Sequence, residues 1–137
     1  MNTRSAKAKG NRLQNYVAEC MEKYLGIGAG DIRKTTAGVN GPDVEVTDTL
    51  VDKFPFSVEC KNTERVNIWA AYEQACGNNG TTHARIPMLV IKRNRSVPLA
   101  CIELETFFII LADLAASKDM VKYLQDIANE IPKVPNV

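Results

Sequence analysis

The chain has 137 residues, a formal net charge of +1, 45% hydrophobic and 24% charged residues. That length predicts one domain with one core, and the balance is that of a soluble globular protein, not a disordered or fibrous one. The longest apolar run, Phe107 to Ala112, is too short for a membrane span, and no apolar signal core opens the sequence, so a cytoplasmic protein is expected. His83 is the only histidine, which argues against a His-rich metal site or a Ser-His-Asp triad. Cys20, Cys60, Cys76 and Cys101 have no paired short spacing and read as reduced, mostly buried thiols.

Residues 1–8 are polar and basic and read as a flexible arm. From Lys9 to Leu25, Leu13, Tyr16, Val17, Cys20, Met21 and Tyr24 recur at helical spacing, and the run Gly26 to Gly30 reads as the helix stop. That run follows a helix and no Lys-Ser or Lys-Thr comes after it, so it is not a phosphate cradle. Ile32 to Thr36 is a short strand candidate, Ala37 to Gly41 a loop, and Val44 to Thr47 a second strand. A polar-ended connection, Asp48 to Lys53, leads to a third strand over Phe56 to Lys61. Asn67 to Cys76 is predicted helical, with Ile68, Ala71, Tyr72 and Ala75 as its apolar stripe, and Gly77 to His83 reads as a flexible loop. Strands follow over Pro87 to Lys92 and Leu99 to Glu103. Helices over Glu105 to Ala115 and Lys118 to Asn129 close the chain, the last capped by Ser117; Pro132 and Pro135 end the order. The sum is an α/β (α+β) protein with a mixed central sheet of about five strands, flanking helices and an extra C-terminal helical pair over 105–130.

The chemistry concentrates at Pro42-Asp43 and Glu59-Cys60-Lys61. Strand side chains alternate, so Ser57, Glu59 and Lys61 share one face while Phe56, Val58 and Cys60 share the other; Asp43 and Glu45 share a face of the neighbouring strand. Two carboxylates and the Cys60 carbonyl supply the oxygen donors that a hard cation such as Mg²⁺ prefers, with Mn²⁺ as a substitute. Lys61 then orients a nucleophilic water or offsets developing charge, which is the equipment for phosphodiester hydrolysis. Charge distribution points the same way. Arg4, Lys7, Lys9 and Arg12 stand in the first twelve residues with no acid among them, and Lys92, Arg93 and Arg95 form a second basic cluster, both suited to phosphate contact.

With these motifs the chain resembles the PD-(D/E)xK nuclease superfamily, and within it the phage and archaeal Holliday junction resolvase-like endonucleases. Lys9-Gly10-Asn11-Arg12-Leu13-Gln14 resembles their basic opening into a helix. The Pro-Asp element, the hairpin to Glu-x-Lys, and the helix and strand over Asn67 to Lys92 follow in the same order. The resemblance spans residues 7 to 105 and implies a restriction-endonuclease-like fold, Mg²⁺-dependent cutting of branched DNA and a homodimer. It also implies a metal ligand on the first helix, where this chain carries Gln14 in place of the archaeal Glu; Glu19 is the other donor there but points away from the Leu13 and Val17 face. Gln74 matches a helix position that touches the site or a phosphate, and Thr35 and Thr36 precede the loop where the family uses a serine hydroxyl.

Glu45 reads as a second-metal ligand or, more simply, an exposed strand carboxylate. Ser57 reads as a packing residue, Trp69 as a core or dimer-contact aromatic, and His83 as a solvated loop residue. The alternatives are a restriction, repair or recombination nuclease acting on other DNA substrates, and a catalytically silent DNA-binding module of the same fold.

Overall fold

The computed structural model describes residues 2–36, 39–78, 85–115 and 119–131. His83, Ser117, Pro132 and Pro135 lie outside the described residues. Two compact units emerge, Met1–Ile102 and Glu103–Val137.

The first unit opens with α1 (Thr3–Leu25). The helix starts well before Lys9: the Asn2 side chain accepts the Arg4 N–H at 3.0 Å, and Ser5, Ala6, Lys7 and Ala8 continue the turn. A side-chain cap followed by good helix formers replaces the expected flexible arm. The stop falls at Gly26, whose φ of 65° is left-handed and whose N–H returns to the Glu22 carbonyl. A short 3-10 turn, Ala29–Asp31, leads into β1 (Ile32–Lys34), followed by β2 (Val44–Val46) and a second 3-10 turn, Asp48–Leu50. Then come β3 (Phe56–Asn62), α2 (Ile68–Gly77), β4 (Ile86–Lys92) and β5 (Leu99–Cys101).

The sheet runs in the order β1-β2-β3-β4-β5. β1, β2 and β3 form an antiparallel meander, β3 and β4 are parallel, and β5 returns antiparallel to β4. A parallel neighbour demands a crossover, and α2 provides it. Its first turn is capped by Asn67, whose side chain accepts the Ala70 N–H at 3.1 Å.

Alternation divides the core between two faces. Val44, Val46, Val58, Cys60 and Val90 pack with Leu13, Ala18 and Met21 of α1. Ser57, Glu59 and Leu89 point the other way, toward the side on which Ala71 and Ala75 of α2 are buried. α1 covers β3 on one face and α2 covers β3 and β4 on the other, and Ser57 and Glu59 are buried beneath α2.

The second unit pairs α3 (Leu104–Ala115) with α4 (Met120–Glu130). No residue of α3 is buried, and Leu104, Phe107, Phe108 and Ile109 are exposed. Two helices this short enclose little core of their own. The thiols divide more evenly than expected: Cys60 is buried, Cys20 and Cys101 are half-buried, and Cys76 is exposed. Trp69 is 82% exposed and belongs to no core, because the apolar stripe of α2 is carried by Ala71 and Ala75.

Leu89 is fully buried at the centre of the sheet. Leu89→Ala is expected to lower the unfolding free energy by about 2–5 kcal/mol, measured by urea denaturation.

Candidate active site

β2 and β3 are paired at Val44 and Val58, and their ladder ends there because Asp43 has left the strand. Asp43 grips β3 twice. Its N–H donates to the Val58 carbonyl at 2.8 Å, and its Oδ2 accepts the Cys60 N–H at 2.8 Å. The carboxylate stands in for the strand that would otherwise continue. In an extended strand a residue's N–H and C=O point to the same edge, so the Cys60 carbonyl also faces the Asp43 side. Behind Asp43, the Thr35 N–H donates to its carbonyl at 3.0 Å and the Thr35 hydroxyl donates to the Pro42 carbonyl. Thr35 therefore holds the Pro42-Asp43 element, while Thr36 is exposed.

Glu59 is 4% exposed, and both of its oxygens have partners. Oε1 lies 3.0 Å from Lys61 Nζ, and Oε2 accepts from Asn78 Nδ2 at 3.1 Å. A buried carboxylate is costly unless charge and hydrogen bonds offset it, and these two groups do so. Lys61 is half-buried and, through alternation, rises from the same face as Glu59. Asn78 was not anticipated. It caps the C-terminus of α2 one turn beyond Gln74, which is exposed. Only the extension of α2 through Gly77, past its apolar stripe, carries Asn78 to Glu59.

Burial pushes the Asp43 carboxyl above its ordinary value; the Cys60 N–H opposes this, Glu59 reinforces it, and Lys61 opposes it. The Cys60 thiol is driven strongly upward, chiefly by burial and then by Asp43 and Glu59, so it stays protonated and is no nucleophile.

Glu45 is half-buried and paired with two arginines. Its Oε2 lies 3.5 Å from Arg85 Nε and its Oε1 3.7 Å from Arg33 Nη1, while Arg85 Nη2 is 2.7 Å from Asp48 Oδ1. Arg85, whose side chain is 4% exposed, was missed in the sequence because a single Arg before a strand carries no spacing signal. Gln14 is half-buried on α1, beside buried Leu13. Among the described residues no hydrogen bond joins it to Asp43, Glu59 or Lys61, and Glu19 is exposed.

The basic residues gather in part. Arg4, Lys7 and Arg12 are exposed along the first half of α1. Lys9 is tied down: its Nζ donates to Asn94 Oδ1 at 2.9 Å and its carbonyl accepts from Asn62 Nδ2 at 2.9 Å. Lys61 and Asn62 are in register with Ile91 and Lys92, so the turn carrying Arg93 and Arg95 begins at the Lys61 end of the sheet. Lys92 turns its Nζ to the Arg93 carbonyl at 3.0 Å.

Among the described residues no group of three or more His, Cys, Asp or Glu side chains could hold a metal ion; the oxygen donors at the site are two carboxylates and a backbone carbonyl. No helix among them is long and apolar enough to cross a membrane. No family model matches this sequence, and no curated protein or solved structure matches it either.

The raised Asp43 pKa has a sign for stability. A carboxyl that holds its proton more tightly when folded contributes most at low pH, and that contribution is lost as pH rises from the ordinary value of 3.8 through the folded value. Asp43→Asn keeps an oxygen for the Cys60 N–H and has no proton to lose. Without added divalent ions, the variant is expected to gain on the native chain in thermal melts as pH rises from about 4 to 7 and to match or exceed it at neutral pH.

Proposed function

We propose that this chain is a metal-dependent DNA endonuclease of restriction-endonuclease-like fold, acting on branched DNA with a four-way junction as the leading substrate. The observation that carries the reading is the convergence of Asp43, Glu59 and Lys61 where β2 leaves β3. Two carboxylates against one ammonium leave an excess negative charge in a partly buried place, and burial disfavours the ionised form of Asp43. A divalent cation reverses that penalty.

Asp43, Glu59 and the Cys60 carbonyl are the groups that would hold Mg²⁺, or Mn²⁺ in its place, and all three are hard oxygen donors that fit such an ion. When bound, the ion polarises the scissile phosphate and lowers the pKa of a coordinated water. Asn78 fixes the Glu59 carboxylate by holding Oε2. Lys61, a point charge on a flexible stem, exchanges its Glu59 contact for a water or a phosphate oxygen and offsets charge as it develops. The ligand that the resemblance implies on the first helix falls at Gln14, a neutral oxygen donor on α1.

The DNA path in this reading follows the basic residues. α1 places Arg4 and Lys7 at its N-terminal end with no acid in the first turn, so side-chain charge and helix dipole are both positive there. Such charge contacts the phosphate backbone and reads shape more than sequence. Two copies of the chain suit the two-fold symmetry of a junction in which two opposed strands are nicked.

The internal satisfaction of both Glu59 oxygens favours a second reading, a DNA-binding module that does not cut. One gel distinguishes them, comparing four-way, flap, duplex and single-stranded DNA with Mg²⁺ or Mn²⁺. Nicking of the junction is expected, reduced at least ~100-fold in Asp43→Ala, Glu59→Ala and Lys61→Ala while binding persists. Undiminished cutting by Lys61→Ala would reject the mechanism, preferential cutting of another DNA form would reassign the substrate, and binding without cutting by the native chain would establish the second reading.

A further inference from the structure

Arg95 is the one non-glycine residue with positive φ among the described residues, at 59°. This left-handed conformation crowds a Cβ against the backbone, and glycine or asparagine usually takes it. The turn that holds it is fixed without the Arg95 side chain. The Arg93 N–H donates to Ser96 Oγ at 3.1 Å and Ser96 Oγ returns a bond to the Arg93 carbonyl at 2.9 Å. The Asn94 N–H donates to Glu64 Oε1 at 2.8 Å, and Asn94 Oδ1 takes Lys9 Nζ at 2.9 Å. Asn62, next to Lys61, holds the Lys9 carbonyl. Helix α1, the end of β3 and this turn are thus locked into one frame at the Lys61 end of the sheet, with Arg95 exposed on it. Among the described residues its guanidinium makes no hydrogen bond or ion pair.

A position that suits glycine, carrying an arginine that adds nothing to the turn, calls for a use outside the fold. We propose that Arg95 is a preorganised contact to a DNA backbone phosphate outside the cleavage position, aimed by the Lys9–Asn62–Asn94–Glu64 frame. The proposal rests on the nuclease reading. The frame spares a DNA ligand the ordering of a loop, and the planar guanidinium suits two phosphate oxygens at once.

The test uses the full chain, a fluorescently labelled four-way junction and EDTA to prevent cutting, with anisotropy titrations at several salt concentrations and thermal melts. Arg95→Gly relieves the backbone and removes the charge. It is expected to melt at or above the native chain yet bind about tenfold more weakly, with a log affinity against log salt slope shallower by about one. Arg95→Lys is expected to keep the slope. Arg95→Gly binding within twofold of the native chain at unchanged slope would overturn the proposal, as would a melt several degrees lower, which would make the side chain structural. If the native chain binds and cuts while Arg95→Gly binds equally well, only the Arg95 assignment fails. If the native chain neither binds nor cuts DNA, the nuclease reading fails with it.

Discussion

The bond from the Cys60 N–H to Asp43 Oδ2 is the constraint on which the site depends. β2 pairs with β3 only briefly, and a carboxylate takes over the next edge N–H, so strand pairing ends and a cluster of charged groups begins at one atom. Had a backbone carbonyl occupied that position, β2 would continue, and the edge of β3 beside Cys60 would be sealed against any ligand. The same bond explains why a carboxylate is tolerated there. It lowers the cost of an ionised Asp43 that burial and Glu59 both raise.

Around that constraint the support is divided by role. Thr35 holds the Pro42-Asp43 backbone, Asn78 holds Glu59, and Arg85 with Arg33 neutralises Glu45. The last pairing matters for selectivity within the site. Glu45, on β2, lies two residues after Asp43, and left unpaired it would add a third carboxylate to this part of the sheet. With two guanidiniums on it, the negative charge that remains for a ligand belongs to Asp43 and Glu59.

What the sequence disclosed follows from what is local. Alternation over Phe56 to Lys61 placed Glu59 and Lys61 together because a strand's side-chain period does not depend on its neighbours. The order of strands and helices was legible for the same reason, as was the glycine stop at Gly26. What escaped was set by tertiary contact or by capping. Asn78 falls in a stretch whose composition reads as loop, and its role exists only because α2 runs past its apolar stripe to reach β3. Arg85 gains meaning only when β4 lies near β2 and the Asp48 turn. The helical start at Thr3 turned on one Asn cap outweighing a basic, polar composition, and the exposure of Trp69 on two small alanines carrying the buried face.

The first turns of α1 bear on what this end of the molecule is built to meet. Basic side chains at a helix N-terminus oppose the macrodipole, each by about 0.3–1 kcal/mol, and acids there would have been stabilising. Arg4 stands in that unfavourable place, with Lys7 one turn on, and Lys9 bonds Asn94 through its ammonium and Asn62 through its carbonyl. Arg95 holds an unfavourable backbone at the other side of the same frame. Folding alone disfavours the Arg4 charge and the Arg95 backbone, whereas the Lys9 bonds are a gain that ties α1 to the turn. Under the proposed nuclease reading, a phosphate chain crossing α1 and the β4–β5 turn would offset the adverse charge at the helix N-terminus and meet the exposed Arg95 guanidinium.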